Sequence, residues 1–302
     1  MFDPCNCDLE DIPMAATTSA RARKPDAGSA STRTRPPARK IFSPRSTAAS
    51  VWRPLALVVA LLAGWWAVTA ADLVAPYILP SPADTWSAAA DNAAYLVQHT
   101  WVTTWETLVG FVIATVLGVL MAVVMVYSAN LEKTVYPLIL FAQVIPKIAV
   151  APLFIVWLGF GPSPKILVAV LMAFFPIVIS GLAGMRSVDP EILELTSTMG
   201  ASRFKTFAKI RLPASLPQLM SGLKVAATLA VTGAVVGEFV GANEGLGYVI
   251  LQANGNIDTA MLFAALIIMS ALGIVLFAII EIAEKLLIPW HSSRRVVNSA
   301  TA

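Results

Sequence analysis

Long stretches of apolar residues without interior charge are the feature that most constrains how this chain can fold. Each stretch is about 20 residues long, and at roughly 1.5 Å per helical residue it matches the roughly 30 Å hydrocarbon layer of a membrane. Backbone groups inside lipid must bond to one another, so each stretch is expected to form a helix. The chain is 57% hydrophobic and 13% charged, whereas soluble domains carry about 25% charged residues. The sequence therefore predicts an all-α integral membrane protein.

The apolar stretches predict about six transmembrane helices. They cover residues 55–71, 101–127, 135–160, 166–185, 219–240 and 260–288. The third stretch contains Pro137, Pro146 and Pro152, and proline both removes a helical hydrogen bond and clashes with the preceding turn. We therefore expect an interfacial piece there, followed by a broken or tilted span.

The polar ends of the chain are predicted to lie outside the membrane. Residues 1–53 are basic, rich in Ser, Thr, Ala and Pro, and poor in large apolar side chains, so they are expected to be disordered. Residues 54–290 are predicted to form the membrane domain, and residues 291–302 a short cytoplasmic tail. The net charge of +3 does not indicate nucleic-acid binding, because the basic residues flank the membrane spans.

Lysine and arginine are distributed unequally between the two sides of the predicted spans. One side holds the N-terminal tail together with Lys133, Arg186, Arg203, Lys205, Lys209, Arg211, Lys285, Arg294 and Arg295. The other side holds only Lys165. Because positively charged loops stay in the cytoplasm, both termini and the 186–217 loop are predicted to be cytoplasmic. An even number of spans agrees with this orientation.

Few ionisable side chains lie within the predicted spans, and the candidates are Glu106, Lys147, Lys224 and Glu238. Charges inside a membrane are expensive and therefore suggest a function. Each of these four lies near a span end or a break, however, where a long side chain can reach the interface. Interfacial placement is favoured for all four, and Lys147 and Glu238 are retained as candidate pathway residues.

Small residues recur at every fourth position in two of the predicted spans. They are Gly110, Ala114, Gly118 and Ala122 in the second span, and Gly222, Ala226, Ala230 and Ala234 in the fifth. Small side chains let helix backbones approach closely inside a membrane. Both spans are therefore predicted to pack tightly against neighbouring helices.

The predicted cytoplasmic loop has the pattern of a helix-turn-helix. Asp189 and Pro190 suit the start of a first helix, and Gly200 suits the left-handed residue that ends it. Ser202 can cap a second helix, which is expected to end before Pro213.

Phe204 and Phe207 lie on one face of this second predicted helix. Two phenylalanines on an otherwise polar cytoplasmic segment need an apolar partner. They either pack onto the helix ends of their own chain or dock into a groove of a partner protein.

The spacing within this loop resembles the EAA loop of ABC importer permeases. That loop has an acidic residue, a glycine six positions later, an isoleucine ten positions further on, and then Leu-Pro. The matching residues here are Glu194, Gly200, Ile210, Leu212 and Pro213. The sequence departs from the family pattern at Leu195 and Thr196, where alanines are frequent.

Two further segments are similar to the nitrate, sulfonate and taurine branch of these permeases. They are residues 145–161 and the Gly-Leu-Gly-Tyr sequence at 245–248. The same branch includes permeases for thiamine-precursor pyrimidines and for riboflavin. The resemblance extends over roughly residues 100–290.

The resemblance implies a type I importer permease subunit in the bacterial inner membrane. Its solute would be of the sulfonate, taurine or nitrate type, or a pyrimidine or vitamin precursor. The implied partners are ATP-binding cassette ATPase subunits bound through the loop, an extracytoplasmic solute-binding protein, a second permease copy and membrane lipid.

No catalytic residue, cofactor or metal site is predicted from the sequence. It contains no Gly-x-x-x-x-Gly-Lys-Ser/Thr phosphate loop, so a partner subunit is expected to hydrolyse ATP. The alternative from a different class is a stand-alone secondary transporter or channel, which would need a coupling-ion site or pore charges that the spans scarcely offer.

Overall fold

The computed structural model of this protein describes residues 45–289, and all regular structure among them is helical. The helices are α1 (Arg45–Ala70), α2 (Pro82–Asp91), α3 (Ala93–Tyr127), α4 (Ala129–Val144), α5 (Lys147–Leu158), α6 (Pro162–Arg186), α7 (Pro190–Thr198), α8 (Arg203–Thr206), α9 (Leu212–Gly241), α10 (Leu246–Gly255) and α11 (Thr259–Leu287). A π-helical turn, Phe207–Arg211, joins α8 to α9. The predicted all-α fold is confirmed. The tail predictions for residues 1–44 and 291–302 lie outside the described residues, and α1 begins within the segment predicted as a tail.

Four helical segments in the described part of the chain are long and apolar enough to cross a membrane: α3, α6, the continuous segment Arg203–Gly241 that contains α8, the π-helical turn and α9, and α11. The pair α4 and α5 adds a fifth span if the two count as one. Residues Leu55–Ala70 of α1 form a shorter apolar helix. The expectation of about six spans is reached only when both the bent pair and this shorter helix are included.

The break predicted in the third apolar stretch lies between α4 and α5, which meet at an angle of 95°. Ile145 and Pro146 separate the two helices, and both have extended backbone conformations. A proline disfavours helical conformation in the residue before it, so the change of direction occurs at Pro146. Pro137 and Pro152 instead lie inside α4 and α5 without ending them.

Helix α6 packs between α3 and α9, and small residues bring the three backbones together. A methyl group added at Gly110 of α3 would lie 2.7 Å from Ala169 Cβ of α6, and one at Gly233 of α9 would lie 2.7 Å from Ala169 Cα. The alanines of both predicted stripes are fully buried: Ala114, Ala122, Ala226, Ala230 and Ala234. The predicted close packing is therefore present, and it fixes α3, α6 and α9 relative to one another.

Candidate functional site

The first half of the loop between α6 and α9 has the local structure predicted from its residues. Asp189 Oδ1 accepts a hydrogen bond of 3.1 Å from Glu191 N and so caps α7. At the other end Gly200 has a φ of +71°, in the left-handed region. Its N–H bonds to Ser197 O, and the next N–H bonds to Thr196 O, each at 3.1 Å. This pair of bonds is the Schellman motif that commonly ends a helix.

The second half of the loop differs from the prediction. Ser202 caps α8 as expected, accepting a hydrogen bond from Lys205 N, but the helix does not end before Pro213. It continues through the π-helical turn into α9, with Leu212 N bonded to Phe207 O. Proline has no N–H to donate and fits the first turn of a helix, so Pro213 is accommodated at the start of α9. The loop is thus continuous with a membrane span.

Phe204 and Phe207 have different surroundings. Packing onto the same chain and docking into a partner therefore have to be considered separately for each residue. Phe207 is half-buried against the body of the protein, and its ring centroid lies 5.9 Å from that of Tyr127 at the end of α3. Phe204 is 77% exposed. Packing onto the protein's own helix ends therefore accounts for Phe207 alone.

Four exposed apolar side chains occur on α7, on the turn after it and on α8; we call them the coupling face. They are Ile192, Leu195, Met199 and Phe204. Glu194 is exposed on the same helix as two of them. Ile210, Leu212 and Pro213 are half-buried where the loop joins α9. The part of the loop formed by α7 and α8 thus exposes apolar side chains, whereas the part next to α9 is packed against the protein.

Two contacts from neighbouring helices hold the ends of this loop. Arg186, the last residue of α6, forms an ion pair with Glu132 in the first turn of α4. The Tyr127 hydroxyl donates a hydrogen bond of 3.4 Å to Arg203 O at the start of α8. The loop is therefore attached to α3 and α4 as well as to the two helices that it connects.

At the opposite end of α9 lies a second group of polar side chains, which the sequence reasoning did not bring together. Lys165 Nζ is 2.9 Å from Glu106 Oε1, and both residues are less than 10% exposed. The Glu106 side chain is therefore paired inside the protein, and Lys165, which falls between two predicted spans, is part of a helix. Lys165 lies in the first turn of α6 and points toward α3.

Glu238 is fully buried inside the protein, one turn before the end of α9. Thr103 Oγ1 donates a hydrogen bond of 2.7 Å to Glu238 Oε1, and Gly247 N donates one of 2.5 Å to Glu238 Oε2. The first N–H groups of a helix have no partner within it, and here Glu238 supplies one for α10.

Side chains of α3 accept hydrogen bonds from two further backbone N–H groups at the start of α10. Leu246 N donates to Thr103 Oγ1 at 2.7 Å, and Gly245 N donates to His99 Nδ1 at 2.9 Å. We call these side chains the buried polar cluster: His99, Thr103, Glu106, Lys165 and Glu238. It joins α3, α6, α9 and α10 through hydrogen bonds and one ion pair.

The two remaining charges predicted within spans lie outside this cluster. Lys147 is half-buried at the bend between α4 and α5, donates to Gln143 O at 3.1 Å, and lies 5.1 Å from the centroid of the Phe175 ring. Lys224 pairs with Glu284 at 2.5 Å, between α9 and α11. Both cations therefore have partners within the protein, Lys147 at the start of α5 and Lys224 in the middle of α9.

A cavity of about 470 Å³ opens beside the buried polar cluster. It lies between the first part of α3, the turn that joins α5 to α6, and the turn that joins α9 to α10. Its lining consists of Trp101, Val102, Trp105, Glu106, Phe160, Gly161, Pro162, Lys165, Gly241, Ala242, Asn243 and Glu244. Aromatic rings and charged side chains thus share one space.

Residues 114–289 match the family of binding-protein-dependent transport system inner membrane components. The formylaminopyrimidine transport permease protein ThiX of Halalkalibacterium halodurans is 37% identical to the chain, over 76% of the chain and 92% of ThiX. The riboflavin transport system permease protein RibX of Chloroflexus aurantiacus is 35% identical, over 80% of the chain and 92% of RibX. The taurine permease TauC of Escherichia coli is 27% identical, over 76% of the chain and 86% of TauC.

A solved structure shares the fold. It is the MetNI methionine ABC transporter in an inward-facing conformation, matched with a TM-score of 0.55 and 24% sequence identity over 65% of this chain and 97% of that one. Together with the family match, the multi-pass helical fold defines the class of the protein as a membrane-embedded transport component. The chain belongs to the binding-protein-dependent transport family and is the permease subunit of an ABC importer of type I. It is a transport permease rather than an enzyme.

Proposed function

We propose that this permease forms the translocation pathway for a small solute, and that its 186–217 loop binds partner ATP-binding cassette ATPases. The observation that carries the proposal is the coupling face. Its most exposed members, Met199 and Phe204, are each 77% exposed on a segment predicted to be cytoplasmic. Apolar side chains on a short helix are the usual means of docking into a groove of another protein. An ATPase partner would cover them.

In this proposal, a movement of the loop is transmitted to the membrane-spanning helix α9. Because α8, the π-helical turn and α9 are continuous, a displacement of Phe204 would tilt α9 with it. Phe207, packed on Tyr127, would carry part of the displacement to α3. In this proposal Glu194 and Gly200 shape the turn that contacts the ATPase. Ile210, Leu212 and Pro213, half-buried at the base of the loop, connect that turn to the span.

We place the working unit in the inner membrane with several partners. Two copies of residues 54–290 would enclose the pathway, with both termini and the coupling face in the cytoplasm. An extracytoplasmic solute-binding protein would deliver the solute on the other side. Large exposed apolar residues on α4 and α5 support contacts with a second copy or with lipid, among them Phe141, Val144 and Val156.

The proposed solute is of the kinds that the relatives' names indicate. ThiX and RibX are named for a formylaminopyrimidine and for riboflavin, and TauC for taurine. Lys147 remains the candidate pathway cation, because it is half-buried at the bend of the α4–α5 pair. Direct solute contact by Glu238 is less favoured, because each of its carboxylate oxygens already accepts a hydrogen bond inside the protein.

Substitution of Gly200 tests the proposal. The full importer is purified with its ATPase and binding protein, and ATP-dependent uptake is measured in membrane vesicles. Proline holds φ near −65°, whereas Gly200 has a φ of +71° and donates its N–H to Ser197 O. Gly200→Pro is expected to abolish uptake while the subunit still inserts into the membrane.

Gly200→Asn is the matched control, because asparagine tolerates the left-handed conformation, and it should retain most of the uptake. Unchanged uptake by the proline variant would exclude the coupling role of this turn. Uptake that persisted without ATP and without any partner would instead support the stand-alone secondary transporter or channel.

A further inference from the structure

One backbone N–H of the turn between α9 and α10 depends on a histidine of α3. Gly245 N donates a hydrogen bond of 2.9 Å to His99 Nδ1, and His99 is only 5% exposed. A ring nitrogen that accepts a hydrogen bond carries no proton, so His99 is the neutral imidazole with its proton on Nε2. The protonation state of this ring therefore decides whether the bond to the turn exists.

The turn that His99 holds forms part of the cavity wall. Asn243 and Glu244, the two residues before Gly245, are exposed and line the cavity of about 470 Å³. Gly245 has a φ of +109°, which side chains other than hydrogen rarely allow. A methyl group at this position would also clash with the Glu238 carboxylate. Gly245 is thus fixed between α3 and α9, and the places of Asn243 and Glu244 depend on it.

Several titratable groups face this region from α3, α6, α9, α10 and the turn: Tyr95, Glu106, Lys165, Glu238, Glu244 and Tyr248. The two tyrosines pack on the imidazole ring, at centroid distances of 4.2 and 5.9 Å. Helices α2 and α11 pack near Leu96, one turn earlier on α3, through apolar residues such as Ala89 and Met261.

Most of the charges in this region already have partners. Lys165 and Glu106 pair with each other, and each oxygen of Glu238 accepts a hydrogen bond. Glu244 differs, because it is exposed on the turn itself. It is therefore the carboxylate that is able to move toward a positive charge on the His99 ring.

We propose that His99 is a positioning residue of the translocation pathway, which holds the 242–245 turn in place when neutral and releases it when protonated. A proton taken up from solvent adds an N–H at Nδ1, opposite the N–H of Gly245, so two donors face each other and the bond is lost. The positive ring attracts Glu244, and the cavity wall changes shape. This inference rests on the proposed transport function, because it concerns the predicted extracytoplasmic end of the pathway.

Nitrogen-15 NMR of the histidine ring tests the protonation states on the permease alone, in lipid nanodiscs and without ATP. The sequence contains two histidines, His99 and His291, so His291→Gln leaves one ring to observe. At about pH 8 the proton is expected on Nε2, and toward about pH 5 both nitrogens should carry one. A proton on Nδ1 at the higher pH, or a ring that stays neutral throughout, overturns the inference.

Three substitutions separate the acceptor from the titration. His99→Asn places an amide oxygen where Nδ1 lies but cannot titrate, His99→Gln moves the amide to the position of Nε2, and His99→Ala removes it. ATP-dependent uptake is measured in proteoliposomes that contain the assembled importer, with the internal pH held constant. Wild-type uptake is expected to fall about fivefold as the external pH is lowered from about 7.5 to about 5.5, the factor that loss of one hydrogen bond supplies.

The asparagine variant should restore most of the uptake that the alanine variant loses, and it should change less than about twofold on acidification. The glutamine variant should resemble alanine, because its oxygen lies away from Gly245 N. Equal acid dependence of the wild type and the asparagine variant overturns the inference, because the titrating group would then lie elsewhere in the importer. The expected ring protonation without any ATP-dependent uptake rejects the proposed transport function instead.

Discussion

The coupling face and the buried polar cluster lie at opposite ends of α9, and they are stabilised in opposite ways. The coupling face keeps its apolar side chains in solvent and obtains its shape from backbone hydrogen bonds, as in the turn at Gly200. The buried polar cluster hides charged side chains and obtains its shape from contacts among them, such as Glu106 with Lys165. Exposed apolar side chains should therefore contribute little to stability, whereas loss of one partner in a buried network should cost much more.

The largest expected effect comes from breaking the buried ion pair. Lys165→Met leaves Glu106 buried and unpaired, which should lower the free energy of unfolding by about 3–5 kcal/mol. The double variant Glu106→Met with Lys165→Met should return to within about 1 kcal/mol of the wild type, because a buried pair replaced by apolar groups of similar volume is often neutral. Unfolding in mixed detergent micelles measures both.

The exposed pair Glu281–Lys285 provides the control for that experiment. Both residues are on α11, and their side chains are 57% and 39% exposed for Lys285 and Glu281, so Lys285→Met should change stability by less than about 1 kcal/mol. Equal effects of Lys165→Met and Lys285→Met would contradict the view that burial gives the cluster its importance.

A smaller effect is expected from overfilling the cluster. A methyl group at Gly247 would lie 2.8 Å from both Cβ and Oε2 of Glu238 and 2.9 Å from Val235 O. Gly247→Ala should therefore lower the free energy of unfolding by about 2 kcal/mol. At Gly255, on the same helix, a methyl group would meet no atom of the described chain within 4 Å, so Gly255→Ala should leave stability unchanged. Thermal unfolding of the two variants side by side makes the comparison.

The smallest expected effect on stability is at the coupling face. Phe204→Ala removes a side chain that is 77% exposed, so it should change the free energy of unfolding by less than about 0.5 kcal/mol. Stimulation of the partner ATPase should nevertheless be lost. Phe207→Ala should instead lower stability by about 1–2 kcal/mol, because its ring packs on Tyr127. Normal ATPase stimulation by the Phe204 variant would show that the exposed ring is not used for docking.

The features that the sequence predicted are local or periodic. The cap at Asp189 and the left-handed Gly200 depend on neighbours a few positions away, and the small-residue stripes follow the period of a single helix. The bend at Pro146 likewise follows from the chemistry of one residue. Such features can be derived before the chain is folded, because no distant residue decides them.

The buried polar cluster could not be derived in this way, because its members come from three helices and bind the backbone of a fourth. Glu106 and Lys165 are 59 positions apart, and Thr103 and Glu238 are 135 apart. One signal was present for Lys165: Pro162 suits the first position of a helix, which puts Lys165 in the first turn of α6 rather than in a loop. For Glu238, nothing nearby indicated that a threonine of α3 would bind it.

The predicted end of the second loop helix before Pro213 was wrong for a different reason. It depended on the rule that proline ends the preceding helix, which does not hold at this position. Proline usually ends the helix that precedes it, but the π-helical turn before Pro213 shifts the hydrogen bonds by one residue. Leu212 N, for example, bonds to Phe207 O, and the helix continues through Pro213. The sequence contains no separate signal for such a turn, so the two helices were expected to be distinct.

The separation of Glu106 from Lys165 also has a consequence for biosynthesis. Ribosomes add about 5–20 residues per second, and 59 positions lie between the carboxylate and its ammonium partner. Emerging α3 therefore carries its acidic group for several seconds before the matching base of α6 exists. During that interval Glu106 has no Lys165 ammonium group to pair with, so the ion pair can form only after α6 has been synthesised.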